Sequence, residues 1–381
     1  QLPAENDLGI GTLNPWLHRL RNRLLASRRF RFHAANFPLT RPIARKRATA
    51  LFDLCAGFVY SQILASLVAL DLFEQLADGP LPLQDLARAN GLEIEAARRL
   101  LDAGAALDLI DQMDDDFYGL GALGASLVGD RGLLAMIAHH DMLYRDLVDP
   151  VALFRNPQMA TELGAFWAYA QKDKGAERPK PDAAQVARYS ALMALSQEMI
   201  AEQVLAAYPM KKHRVILDVG GGEGVFLAHI AQKVGDARLI LFDLPDVAAR
   251  ARTAQSDLVA AHRLICVSGD FTRDPLPKGA DLICFVRILH DHEDAIADRL
   301  LAAAYQALAP GGSLLLAEPM ADTRGARAMG DAYFGIYLLA MGQGKPRRAD
   351  RLKAMMAKAG FSKISEKKTT QPMIYRLLMA R

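Results

Sequence analysis

Residues 215–224 read VILDVGGGEG: a short apolar run, three consecutive glycines, and then VFLAHIAQKV, which has the spacing of a helix. An apolar run this short, with a single acid near its end, reads as a strand buried on both faces. Glycines there allow a tight turn and let a ligand approach the backbone closely, while the helix that follows offers free N–H groups at its start. The stretch reads as a strand–loop–helix unit that could take a nucleotide, and by itself it is weak evidence for one. Alone it does not say which nucleotide, because nicotinamide enzymes use a similar loop.

The same texture repeats downstream. RLILFD, RLICVSG, DLICFV and GSLLLAE follow, separated by helical segments, the pattern of a parallel, doubly wound sheet. The tail, FSKISEKKTT and then MIYRLLMAR, reads as a terminal antiparallel hairpin. Upstream, LPLQDLARANG and LEIEAARRLLDAGAALDLI read as two helices joined at Asn90-Gly91, and FYGLGALGASLVG as the strand pair of a wing. The expected fold is α/β: a Rossmann-like doubly wound sheet with a terminal hairpin, preceded by a mostly helical winged-helix dimerisation domain. The expected segments are a basic arm (1–48), the winged-helix domain (49–150), a helical linker and substrate-pocket segment (151–208) broken by the polar loop KDKGAERPKPD, and the sheet domain (209–381).

Composition bounds the class. With 381 residues, 51% of them apolar and 23% charged, the chain has the make-up of a globular protein of about two domains. Its three cysteines lie apart in apolar runs, which favours reduced thiols and a cytoplasmic protein. The second helix of the winged element carries Glu93, Glu95 and Asp102 against Arg98 and Arg99, so no cationic face is offered to nucleic acid. From Gln1 to Ala50, however, ten Arg or Lys stand against two acids, with Trp16, Leu17, Leu20, Leu24, Leu25, Phe30 and Phe32 interleaved. That pattern fits a helix lying on an anionic membrane, here the cytoplasmic face of the inner membrane, or an arm packed on a dimer partner. No secretory signal is read in it. Residues 54–70 are apolar but short and carry Ser61, Gln62 and Ser66, better suited to a buried or dimer-interface helix than to a membrane span.

The ends of the first three strands carry groups suited to one nucleoside. Asp243, about twenty residues after the glycines, can accept both ribose hydroxyls of an adenosine. Asp270 and Phe271 suit an adenine amino group and the purine face. A further cluster, RILHDHED at 287–294, packs two histidines and three acids behind a strand. It is open to three readings: a metal site, caps for the next helix, or a strand-end histidine acting as a base.

LDVGGGEG, LFDLPDV, GDF, ILHDHED and LLLAEP, in this order and spacing, resemble the S-adenosylmethionine-dependent O-methyltransferases of the plant-type small-molecule family, over roughly residues 50–381. The resemblance implies that Gly220, Gly221 and Gly222 cradle the methionine portion of S-adenosyl-L-methionine, that Asp243 with Leu244 holds the ribose, and that Asp270 and Phe271 hold the adenine. It also implies a homodimer, His290 as general base and Glu318 as the acid that orients it. Members of the family carry a Lys four residues before the base, where this chain has Val286; the adjacent Arg287 is the candidate to take over its cofactor contact. A second orienting acid of the family is replaced by Pro346 in GKPRR. FPLTRPIARKRATALFDLCAGFVYSQ, YSALMALSQ and DAYFGIYLLAMGQGKPRR are similar to bacterial enzymes of this family that methylate a tertiary hydroxyl of acyclic carotenoids, which implies a large apolar substrate. Phenol or polyketide O-methylation, tetrapyrrole C-methylation and a non-enzymatic winged-helix regulator are the alternatives.

Within this frame, Asp291 and Asp294 are expected to cap the helix after RILHDHED, with His292 in its first turn. His290 is expected to rest neutral beside that helix N-terminus. Trp167, Tyr169, Met193, Tyr333, Tyr337 and Met341 are the candidate pocket lining.

Overall fold

A computed structural model of the protein describes residues 14–114, 116–166, 183–370 and 375–381. Two compact units meet in sequence at Gly129/Asp130.

In the second unit a seven-stranded sheet carries the fold. Its strands are β1 (Val215–Val219), β2 (Arg238–Asp243), β3 (Leu264–Ser268), β4 (Ala280–Val286), β5 (Leu308–Glu318), β6 (Ser365–Lys367) and β7 (Arg376–Ala380). Their spatial order is β6-β7-β5-β4-β1-β2-β3; β1 to β5 run parallel, and β7 and β6 are added antiparallel as the expected hairpin. Because neighbours of β1 are reached in opposite directions along the chain, the sheet has its switch point between β1 and β4, where a crevice opens at the carboxyl ends of the strands.

Alternation along the strands explains why the sequence holds this sheet. Ile216, Leu239, Leu241, Cys284 and Leu315 pack on one face against Phe226, Leu227, Ile230 and Val204. Leu217, Ile240, Phe242, Phe285 and Leu316 pack on the other against Leu300, Leu301, Met355 and Met356. Successive residues point to opposite faces, so a strand buried on both sides must be apolar throughout. The acids at the carboxyl ends are therefore the departures that carry function.

The helix Arg131–Asp146, assigned by the sequence reading to the dimerisation segment, folds with the second unit. Its His139 and His140 are hydrogen-bonded to Tyr337 and Tyr333, at 2.8 and 2.6 Å.

In the first unit, helices Leu83–Ala89 and Ile94–Ala105 meet at Gly91, whose φ of 63° favours a residue without a side chain. The wing differs from expectation. Its strands are Ile110–Asp114 and Phe117–Leu120, and FYGLGALGASLVG supplies only the second of them, because Gly121 ends the strand and Ala122–Ala125 turns helical. The apolar run at 54–70 belongs to a longer helix, Arg41–Ala69, of which only Leu67 is buried within the unit. By length and composition this helix could cross a membrane.

Candidate active site

The glycine loop sits where β1 ends. Gly220, Gly222 and Gly224 all have positive φ (71°, 58° and 81°), so side chains there would be strained. A Cβ on Gly220 would lie 2.4 Å from the Ile288 side chain and 3.3 Å from Phe271, and one on Gly221 would lie 2.6 Å from Asp218 Oδ2. Beside Gly222 there is open space.

Asp243, at the end of β2, is buried and accepts from the Gly222 N–H at 2.9 Å and the Leu244 N–H at 2.7 Å. Burial pushes its carboxyl up to about 6, against the pull of those two backbone N–H groups and Arg250. Asp270 stands in the turn after β3, where its Oδ1 accepts from the backbone N–H and hydroxyl of Thr272 at 2.9 and 2.6 Å. Phe271 lies against the glycine loop and meets the His292 ring edge-on at 5.5 Å.

Asp218 is a group that sequence reasoning passed over. It is buried, burial pushes its carboxyl well above the usual range, and its Oδ2 has no hydrogen-bond partner among the described residues. The signal was present: an acid in an otherwise apolar strand, three residues before the central glycine.

At the end of β4 the chain passes through Arg287, at a φ of 60°, into a short 3-10 turn, Leu289–Asp291. Glu318, at the end of β5, organises that turn. Its Oε1 accepts from the backbone N–H of Ile288 (2.9 Å) and Leu289 (2.7 Å), and its Oε2 faces His290 Nδ1 at 2.6 Å and the His290 backbone N–H at 3.3 Å. With Glu318 only 1% exposed, four donors converge on one buried carboxyl group. Nδ1 must carry a hydrogen to face it, which leaves Nε2 as the ring's reactive atom.

Four expectations about RILHDHED are corrected. Asp291 does not cap a helix: its Oδ1 lies 3.1 Å from His290 Nε2. Asp294 does not cap one either, because the helix Asp294–Ala307 starts on it, after Glu293, and its carboxylate binds Arg347, Lys345 and Arg351. His292 is buried outside that helix against Phe271. Nor is His290 held down: burial pulls it down, but Asp291 and Glu318 outweigh burial and the smaller effect of Arg287, so it lies above the usual imidazole range. Burial raises Asp291 as well. Both directions favour a proton held by this pair. Among the described residues no three His, Cys, Asp or Glu side chains gather as a metal-binding group.

The GKPRR segment closes over the turn from behind. A Cβ on Gly344 would lie 2.2 Å from the His290 carbonyl, and Lys345 donates its backbone N–H to that carbonyl at 2.9 Å. Arg347, buried, donates to the carbonyls of Leu289 and His292, both at 2.6 Å, and to Asp294 at 2.8 Å. Where the family pattern has an acid, this chain has Pro346, and the neighbouring arginine grips the backbone on either side of His290.

Arg287 donates to Ser196 Oγ at 2.8 Å and contacts Met193 Sδ at 3.7 Å, both on the helix Ala183–Ala207. Met193 and Tyr333 pack at the edge of an apolar cluster in which Tyr337 and Met341 are buried core residues rather than lining. Phe334 meets the His290 ring edge-on at 6.3 Å. Trp167 and Tyr169 lie outside the described residues.

Open space beside Gly222, a buried acid at the next strand end, a buried carboxyl oxygen at Asp218 without a partner among the described residues and an oriented histidine at the switch point fit S-adenosylmethionine. Gly220–Gly222, Asp243, Leu244, Asp270 and Phe271 would hold it. Fold and site define a class I methyltransferase dependent on S-adenosylmethionine.

The chain belongs to the O-methyltransferase family: the O-methyltransferase domain matches residues 144–362 and the O-methyltransferase dimerisation domain residues 52–130. It is 40% identical over 362 residues to demethylspheroidene O-methyltransferase of Cereibacter sphaeroides, covering 95% of this chain and 92% of that one. With the enzyme of the same name from Rhodobacter capsulatus it shares 36% over 372 residues, covering 98% and 92%. The structure of human N-acetylserotonin methyltransferase in complex with S-adenosylmethionine has the same fold, with a TM-score of 0.72 at 24% identity over 88% of this chain and 97% of that one. The protein is therefore an S-adenosylmethionine-dependent O-methyltransferase closely related to the demethylspheroidene enzymes.

Proposed function

We propose that this enzyme methylates a tertiary hydroxyl of an acyclic carotenoid, with His290 as general base and Glu318 as the residue that orients it. The observation that carries the reading is the 2.6 Å contact between His290 Nδ1 and a Glu318 carboxyl otherwise filled by backbone donors. It fixes the ring and stabilises the imidazolium as Nε2 accepts the hydroxyl proton. The two demethylspheroidene O-methyltransferases among its relatives support the substrate class.

S-adenosylmethionine, when bound, supplies an electrophilic methyl group on a sulfonium. A tertiary alcohol is far less acidic than the about 10 of a phenol such as Tyr, so full ionisation before attack is excluded on energetic grounds. Nε2 would take the hydroxyl proton while the oxygen took the methyl group from the bound cofactor, leaving the neutral thioether, S-adenosylhomocysteine. Most of the rate then comes from alignment, for which effective molarities reach about 10^5 to 10^8 M. The apolar ring of Phe334 beside the base favours a hydroxyl stripped of water.

The reading extends to a homodimer formed through the dimerisation domain, and to a cytoplasmic enzyme touching the inner face of the inner membrane, where a carotenoid would be met. Purified protein with labelled cofactor, offered acyclic hydroxycarotenoids and a panel of phenols, tests it: label is expected in the carotenoids. Label in phenols alone would overturn the substrate class and leave the methyltransferase standing.

A further inference from the structure

We propose that the helices Pro15–Ala26 and Arg28–Asn36 form an in-plane anchor that docks on an anionic lipid bilayer, with Trp16, Leu17, Leu20 and Leu24 entering the lipid and the flanking arginines meeting its headgroups.

The charge pattern comes first. From Asn14 to Phe52 there are ten cations (Arg19, Arg21, Arg23, Arg28, Arg29, Arg31, Arg41, Arg45, Lys46 and Arg47) and no acid. Attraction to an anionic surface is therefore unopposed along the segment.

Geometry follows from the helix. At about 100° per residue, Trp16, Leu17, Leu20 and Leu24 fall within one stripe of about 100°. Arg19 and Arg23 flank it on one side and Arg21 on the other, while His18 and Asn22 project from the opposite face. An apolar stripe bordered by cations is the arrangement of a helix lying in the headgroup plane. None of the stripe residues is buried by the described residues, and Trp16 is 59% exposed.

The elbow between the two helices is built, not slack. Ser27 Oγ accepts from the Phe30 N–H at 3.3 Å, and Arg31 donates to the carbonyls of Leu25 and Ala26 at 3.1 and 3.0 Å. This holds the second helix against the end of the first, and on it Arg28, Arg29 and the 66% exposed Phe32 share one face about 100° wide.

Two alternative occupants fit less well. A second copy of the arm would bring cations against cations, and the family's dimerisation domain starts at residue 52, beyond the arm. Nucleic acid would match the charges but leave the apolar stripe in water.

The inference deepens the proposed membrane contact, and its test needs no substrate. Full-length protein is sedimented with phosphatidylcholine vesicles and with phosphatidylcholine–phosphatidylglycerol vesicles, at low and high salt. Binding is expected to the anionic vesicles only and to weaken with salt. At about 1 kcal/mol per surface cation, or about fivefold each, the triple variant R19Q/R21Q/R23Q should bind about 100-fold more weakly. W16S/L20S should lose binding while keeping cofactor affinity and thermal midpoint, which shows that the fold is intact. Absence of binding, or equal binding to both vesicle types, would overturn the proposal. So would duplex DNA binding that W16S/L20S retains, or a W16S/L20S variant that turns monomeric where the parent is dimeric. Any of these outcomes leaves the substrate reading untouched, and failure to methylate carotenoids leaves vesicle binding as it is.

Discussion

Asp291 Oδ1 stands 3.1 Å from His290 Nε2, across the ring from the nitrogen that Glu318 holds. His290, the proposed base, thus rests between two carboxyl groups, and the outer one lies on the atom to which a substrate hydroxyl would pass its proton on that proposal. With both pKa values displaced upward, the pair retains a proton that has to leave before Nε2 can accept another. kcat/KM is expected to rise with pH through a value above the about 6.5 of a free imidazole. Replacing Asp291 by Asn removes a carboxylate that raises His290, so the acidic limb should move to lower pH. A limb that stays in place would show that Asp291 is not coupled to the base.

His290→Ala should lower kcat by about 10^2- to 10^4-fold, the range of a positioned general base, with S-adenosylhomocysteine affinity nearly unchanged by calorimetry. Equal loss of both would make His290 structural. Glu318→Gln is predicted to behave differently. An amide has one accepting oxygen, so its nitrogen would face either the backbone donors of Ile288 and Leu289 or the His290 ring. Lost turnover should come with lost stability, about 1 to 3 kcal/mol for each stranded donor.

At Asp243 the pH dependence has the opposite origin. Its carboxyl, raised to about 6 by burial, is ionised above that pH and protonated below it. A protonated acid loses accepting capacity for the two ribose hydroxyls, so cofactor affinity should be level above pH 6 and fall by up to about tenfold per pH unit below it. In the free protein the sign reverses: stability from this group is full below about 3.9, the unfolded value, and is lost as pH rises through 6. Asp243→Asn should weaken S-adenosylhomocysteine binding and abolish its acid dependence, while kcat at saturating cofactor changes less. Titration calorimetry across this range checks both.

How far the chain could be read in advance depended on distance along it. Strands buried on both faces, the loop at Gly220–Gly222 and the acid at Asp243 are local patterns, and each stands where its pattern placed it. Asp291 was misread because an acid three residues before another fits a capping box whether the helix begins at His292 or Asp294. The wing was displaced by a similar ambiguity, since Ile110–Asp114 continues an apolar helical pattern without a break. The His139–Tyr337 contact joins residues 198 apart, and the Arg347–His292 contact residues 55 apart. Neither leaves a periodicity to detect.

Arg347 gives the sharpest consequence of such a contact. Its guanidinium is buried and divides its donors between the carbonyls of Leu289 and His292 and the Asp294 carboxylate, so it holds the backbone on both sides of His290. In Arg347→Met, Asp294 keeps Lys345 and Arg351 and is half in water, so no buried charge is orphaned. What is lost is the partner of two buried carbonyls, at about 1 to 3 kcal/mol each. A total of about 2 to 6 kcal/mol corresponds to about 4 to 24 °C in the thermal midpoint for a unit of this size. Because the turn it releases carries the base, kcat should fall as well, and cofactor affinity should hold, since Gly222 and Asp243 sit on other strand ends. Arg347→Lys places one ammonium among three acceptors and should recover only part of either loss. Calorimetry and steady-state kinetics on the two variants check this; a stable Arg347→Met enzyme with unchanged kcat would show that the turn is held by Glu318 alone.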